Sequence, residues 1–180
     1  MKKLVFAILI LCPAVCALAD TPPTWDEFDV ASPNKAFIAK VTVKDKNGKK
    51  ERYEWSFSLA VYKADAPATP LWSLIYPYLG DPGGFLSDDG KFFADIEFWY
   101  HDEPDIIRIY REGKRVAEFT GKELALDKTK LKKTASHLLW WNEQARPKFE
   151  GGKELVIPTI DDQVFRIDLT TLKLKAERAK

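Results

Sequence analysis

The sequence predicts a mainly β protein built from antiparallel meanders, with one short helical insertion. Three observations carry that prediction. Apolar and polar residues alternate with period two through most segments, turn-forming Gly, Asn, Asp and Pro separate those segments at short intervals, and only Thr120 to Leu126 carries a helix start signal.

The first hairpin is the clearest. Phe37, Ala39, Val41 and Val43 share one face, Asn47-Gly48 supplies the turn, and Tyr53, Trp55, Phe57, Leu59 and Val61 form the returning face. Lys40, Thr42, Lys44, Arg52, Glu54, Ser56 and Ser58 fall opposite, so the pair reads as half buried and half solvated. The proline-rich ADAPATP, residues 64–70, is a loop; LWSLIY is a short strand stopped by Pro77; GDPGG, residues 80–84, is a second turn cluster. Lys91 to Trp99, Asp105 to Arg111 and Arg115 to Phe119 then form a three-strand meander joined by HDEP and by Glu112-Gly113-Lys114.

In TGKELAL, Thr120 with Glu123 three residues later is a capping box, and the basic run Lys128 to Lys133 reads as a solvated face. HLLWW is a strand, residues 142–152 a loop, and Leu155 to Ile160 with Val164 to Leu169 a last hairpin around Asp161-Asp162; the charged tail KLKAERAK is expected to fray.

The first 20 residues, MKKLVFAILILCPAVCALAD, place Lys2 and Lys3 before an apolar run that ends in Ala17-Leu18-Ala19. This is the pattern of a signal peptide over residues 1–19, cleaved near Ala19, which predicts a secreted or periplasmic bacterial protein with no membrane insertion after processing. Neither Cys12 nor Cys16 follows a small residue, as a lipid-modified cysteine would. Both cysteines lie inside the peptide, so residues 20–180 have no thiol for a disulfide, a metal or catalysis. Those 161 residues suit one ordinary core, hence a single β domain. Without Lys2 and Lys3 the count is 26 basic against 27 acidic residues, a balance that points away from nucleic acid and anionic membranes.

Within this domain the sequence repeats. SPNKAFIA (Ser32 to Ala39) aligns with SDDGKFFA (Ser87 to Ala94), LAVYK ending at Lys63 with IRIYR ending at Arg111, and EGGKELV (Glu150 to Val156) with FRIDL (Phe165 to Leu169) makes a third copy. The units span residues 32–63, 87–119 and 150–174. Each is a polar turn, an outgoing strand, a variable loop and a returning strand. The pattern resembles the S-x-D-G-K turns of β-propeller blades, and more closely the propeller-like units of small exported bacterial proteins of unassigned function. That resemblance implies propeller-like packing of hairpins; a two-sheet sandwich, or pairing with another copy, are the other ways for about three units to close. In LSDDGKFF, Asp88, Asp89 and Gly90 are turn chemistry, since the further oxygens of a calcium loop are absent.

Asp95 and Glu97 share a strand face with Phe93 and Trp99. Paired carboxylates beside aromatics suit a glycosidase-like envelope hydrolase, whereas Arg108 on the returning strand suits a cross-strand ion pair. His101, Asp102, Glu103 and Asp105 concentrate an imidazole and three carboxylates in one loop, but neighbours in sequence seldom converge on one ion, so no metal and no cofactor is predicted. Trp141 is a candidate binding surface, because one of the adjacent Trp140 and Trp141 must face away from the core if both lie in a strand. No nucleophile elbow, zinc-protease, P-loop or dinucleotide motif occurs in residues 20–180. The expected role is binding or interaction, with another envelope or secreted protein as partner, through rim loops at 81–84, 101–105 and 161–163. A structural subunit of an envelope complex is the third alternative.

Overall fold

The computed structural model describes residues 23–178; the signal peptide expected over residues 1–19 lies outside them. The described chain is mainly β, with three four-stranded antiparallel sheets and a small two-stranded one. Sheet I contains β1 (Phe28–Ala31), β2 (Phe37–Asp45), β3 (Ser56–Lys63) and β4 (Trp72–Tyr76). Sheet II contains β5 (Phe85–Leu86), β6 (Phe92–Ile96), β7 (Asp105–Arg111) and β8 (Lys114–Thr120). Helix α1 (Gly121–Leu124) and the pair β9 (Lys132–Lys133) and β10 (Leu138–Leu139) lead to sheet III: β11 (Lys148–Glu150), β12 (Glu154–Pro158), β13 (Gln163–Asp168) and β14 (Leu174–Arg178). In every large sheet the strands follow chain order, as short antiparallel connections require.

The repeated segments occupy equivalent places. SPNKAFIA, SDDGKFFA and EGGKELV each cover the turn into a second strand; LAVYK, IRIYR and FRIDL each run along a third strand. The first two turns are closed alike. The Ser32 hydroxyl donates to Asn34 Oδ1 at 2.7 Å and accepts from the Phe37 amide, and Ser87 does the same with Asp89 at 2.7 Å and the Phe92 amide. The turns also join the sheets: the Asn34 amide donates to Asp88 Oδ1, and the Trp72 indole donates to the Gly90 carbonyl at 2.8 Å.

Sheet II lies between the other two. Phe92, Ala94, Ile96, Ile107 and Ile109 pack with Leu155, Ile157, Phe165 and Ile167 of sheet III. Phe93 and Tyr110, on the opposite face, pack with Val41, Phe57, Leu59, Val61 and Tyr76 of sheet I. Two-sided burial explains why β6 and β7 carry adjacent apolar residues where solvated strands alternate. The stack ends in polar faces: Lys40, Thr42, Ser56 and Ser58 on sheet I, and on sheet III Arg166 bonded to Glu150, Glu154 and Glu177 at 3.0–3.3 Å. The first strands β1, β5 and β11 line one groove of about 500 Å³.

Several details differ from the sequence expectation, among them the short strands β5 and β9, and β11 inside the loop expected over residues 142–152. The strand after Asn47-Gly48 begins only at Ser56, because Arg52–Glu54 form a 3-10 turn that leaves Tyr53 63% exposed. Phe28–Ala31 adds a strand ahead of the first predicted one. HLLWW is extended only at Leu138–Leu139. The charged tail is ordered as β14, since pairing Leu174 with Ile167 and Ala176 with Phe165 satisfies the backbone of β13 whatever the side chains. The capping box forms as expected, with Thr120 and Glu123 exchanging both bonds.

Gly90 tests the junction between sheets I and II. Its φ is +68°, and a Cβ there meets the Phe37 ring at 2.5 Å, whereas Gly48, at φ +64°, has nothing within 4 Å. Gly48→Ala therefore costs about 1 kcal/mol from backbone strain alone, and Gly90→Ala at least ~2 kcal/mol, by urea unfolding.

Candidate functional site

The site is built around a buried arginine. Antiparallel register sets Arg108 of β7 directly opposite Asp95 of β6, on the face turned toward sheet I. Arg108 is 6% exposed; its Nε donates to Asp95 Oδ2 at 3.0 Å and its Nη2 to Glu97 Oε1. Glu97 lies just past β6, where its amide still donates to the Ile106 carbonyl at 2.8 Å and keeps the side chain on the Asp95 face. The Glu97 carbonyl accepts from the indoles of both Trp140 and Trp141, at 2.8 and 3.1 Å, while the Tyr76 hydroxyl donates to Asp95 from sheet I.

Two carboxylates share one cation here, and their proton affinities reflect it. Burial raises the Glu97 carboxyl, the Asp95 charge raises it further, and Arg108 only partly offsets both, leaving it pushed up to about 7. Asp95 is also raised by burial, against the opposing pull of Arg108 and the Tyr76 hydrogen bond. Burial and then the Asp95 charge hold the Tyr76 phenol well above its usual range, and push Tyr110 to about 12.

Asp95 and Glu97 form the floor of a cavity of about 390 Å³ between sheets I and II. One rim is the segment from Leu79 to Phe85; the other carries Trp141, Glu143 and Arg146. Phe85 and Phe98 both stand edge-on to Trp141, with ring centroids 6.3 and 5.4 Å away and interplanar angles of 83° and 86°. Burial raises the Asp81 carboxyl at the mouth, and the charge of nearby His137 partly opposes that. Arg146 lies over the Phe85 ring at 5.8 Å.

The loop candidates do not converge. His101 lines a neighbouring cavity of about 290 Å³ with Asp105, Trp99 and His137; burial and then His137 lower its proton affinity. Asp102 turns the other way, accepting from Tyr100 at 2.8 Å and pairing with Lys128 at 2.6 Å. Glu103 is exposed. Among the described residues no three His, Asp or Glu side chains gather as a metal would need. Trp141 is only 7% exposed, and Trp140 is fully buried. The expectation that one faces outward is overturned because the chain leaves the strand at Trp140 and both indoles turn to one carbonyl. Asp161 is likewise no rim group: it is buried and bonded to Thr159, Gln163 and the Asp127 amide. Sequence reasoning missed Tyr78, Phe85 and Phe98 as cavity walls; the GDPGG turn between two aromatic segments was their one local signal.

In comparisons with known proteins, no family model and no curated protein matches the chain.

Removing the cation strands two buried carboxylates, so Arg108→Met should destabilise by about 3–5 kcal/mol in denaturant unfolding at pH 8. The pH profile has a definite sign. The Glu97 carboxyl rises from its unfolded value of 4.5 to about 7 on folding. Its contribution is therefore complete below pH 4.5 and is lost as pH rises through 7. Wild-type stability should fall between pH 5 and 8 with a slope of up to ~1.4 kcal/mol per pH unit, and Glu97→Gln should flatten that slope.

Proposed function

We propose that this chain is an exported binding module whose ligand enters the cleft between sheets I and II. The observation that supports this most is the cavity itself: about 390 Å³, walled by aromatic rings, with charged groups confined to its floor and rim. Two of its borders are loops that antiparallel sheets leave free to vary, the usual place for recognition on a rigid β scaffold. The propeller-like packing suggested by the repeats fits the same picture, since β1, β5 and β11 gather around one groove beside the cleft.

The hydrolase alternative has one observation in its favour, the raised Glu97 carboxyl. Its second carboxylate is less suited to it. Asp95 is held by both Arg108 and Tyr76, and this cross-strand ion pair accounts for its place in the floor without any catalytic role. Binding is therefore the reading adopted. Partner, export and the place of the protein in an envelope complex belong to the same proposal and rest on the leader sequence.

Gly83 offers a clean test. It lines the cleft, and a Cβ there meets nothing within 4 Å. Gly83→Trp should fill the mouth while the unfolding midpoint stays near wild type. In a fragment screen on residues 20–180 followed by indole NMR, binders should shift the Trp141 resonance and lose affinity at least tenfold in Gly83→Trp. Binders indifferent to that substitution would overturn the cleft reading, and hydrolysis of a polysaccharide panel that Glu97→Gln abolishes would replace it with the enzyme.

A further inference from the structure

The cleft combines two features that single out one ligand chemistry. The first is the arrangement of rings. Phe85 and Phe98 stand at 83° and 86° to Trp141, with centroids 6.3 and 5.4 Å from it, so two aromatic walls are nearly perpendicular to a third. With rings so inclined, a compact group among them can meet a ring face on at least one side. Such faces carry negative potential and attract cations, most of all those whose charge is spread over a bulky, weakly hydrated surface.

The second feature is charge. Asp81, Asp95, Glu97 and Glu143 line the same cavity against a single lining arginine, Arg146, which is stacked on Phe85 at the rim. Arg108 neutralises only one of the two carboxylates it touches, and Glu143 has a distant surface partner in Lys132 at 3.9 Å. An anion would meet this surplus of carboxylates in a partly desolvated space. A neutral polyol would leave the carboxylates without a counter-charge. A cation satisfies both the rings and the acids.

We infer that the cleft binds a quaternary or otherwise substituted organic ammonium group, seated against Phe85, Phe98 and Trp141 with Glu97 and Asp81 as its counter-ions. This rests on the cleft being a binding site, and it adds the ligand class. The assignment also couples binding to protons. The charged groups around Glu97 are Asp95 and Arg108 within sheet II, Tyr76 and Tyr78 of sheet I and the segment after it, Asp81, Glu143 and Arg146 around the cleft, and His101, Asp105 and His137 in the adjoining cavity. A bound cation favours the ionised form of Glu97 and expels its proton. Affinity should therefore rise with pH.

Choline is the probe, because its charge does not change with pH. Its neutral carbon isostere 3,3-dimethylbutanol and the anion 3,3-dimethylbutyrate have nearly the same shape. Titrated into residues 20–180 and followed at the Trp141 indole by NMR, choline should bind at least tenfold more tightly than either control. Its affinity should increase about tenfold from pH 6 to pH 8, as the Glu97 carboxyl passes through a midpoint of about 7. Glu97→Gln should abolish that increase. Phe98→Leu, which keeps an apolar side chain and removes a ring face, should weaken choline more than dimethylbutanol. Equal or tighter binding of either control, or a tenfold pH dependence that survives Glu97→Gln, overturns the inference. If choline fails while other fragments still occupy the cleft, the ligand class is wrong and the binding site stands; if no fragment occupies it, both fall.

Discussion

One buried cation shared by two carboxylates sets the terms for the centre of this protein. Arg108 sits on the middle sheet, on the face covered by sheet I, where a charged group is tolerated only if it is paired and hydrogen-bonded. Asp95 answers it across the strands, and Glu97 answers it from the first position beyond β6. Because Glu97 also anchors both tryptophans through its carbonyl, the same residue ties the ion pair to the Trp140-Trp141 segment and to the wall of the cleft. Buried ion pairs of this kind often add little net stability over apolar packing, and this one leaves a charged floor where a cavity opens.

The cavity follows from how the sheets are stacked. Sheet II is covered on both faces, so its two core strands must present apolar side chains in both directions, and Phe93 and Tyr110 fill the interface with sheet I near one end. Toward the other end, β6 stops at Ile96 and β4 at Tyr76. The cleft opens beside these strand ends, and Tyr78 and Phe98, each two residues past one of them, become its walls together with Phe85 of β5. The outer faces of sheets I and III carry ion pairs, Lys40 with Asp29 and Arg166 with Glu150 and Glu154.

Much of this is legible in the sequence where local chemistry decides it. Period-two alternation places β2, β3 and β13, short apolar runs between turns place β6 and β7, the serine-acid turns are written in SPNKAF and SDDGKF, the capping box announces α1, and the pairing of Arg108 with an acid of β6 follows from counting residues across the HDEP connection. The remainder depends on partners distant along the chain. β1 is four residues with no strong signal of its own and exists because β2 offers it an edge; β14 forms from a charged tail for the same reason on β13. The burial of both Trp140 and Trp141 cannot be read from alternation, since it is imposed by one carbonyl more than 40 residues earlier in the chain. The candidate loop at 101–105 looked like a cluster in one dimension, but successive residues turn to different sides, whereas the cleft gathers Tyr78, Glu97 and Trp141 from separate segments.

Burial, reinforced by the Asp95 charge, holds the Glu97 proton near neutrality even though Arg108 touches both carboxylates. Carbon-13 NMR of the glutamate carboxyls across pH 4 to 9 reads this directly in residues 20–180. One carboxyl, assigned to Glu97 by its loss in Glu97→Gln, should titrate near 7 and move down in Asp95→Asn, where the second carboxylate charge is gone and only burial still raises it. A Glu97 carboxyl that titrates in the ordinary range in wild type, and does not respond to the loss of Asp95, would contradict the account.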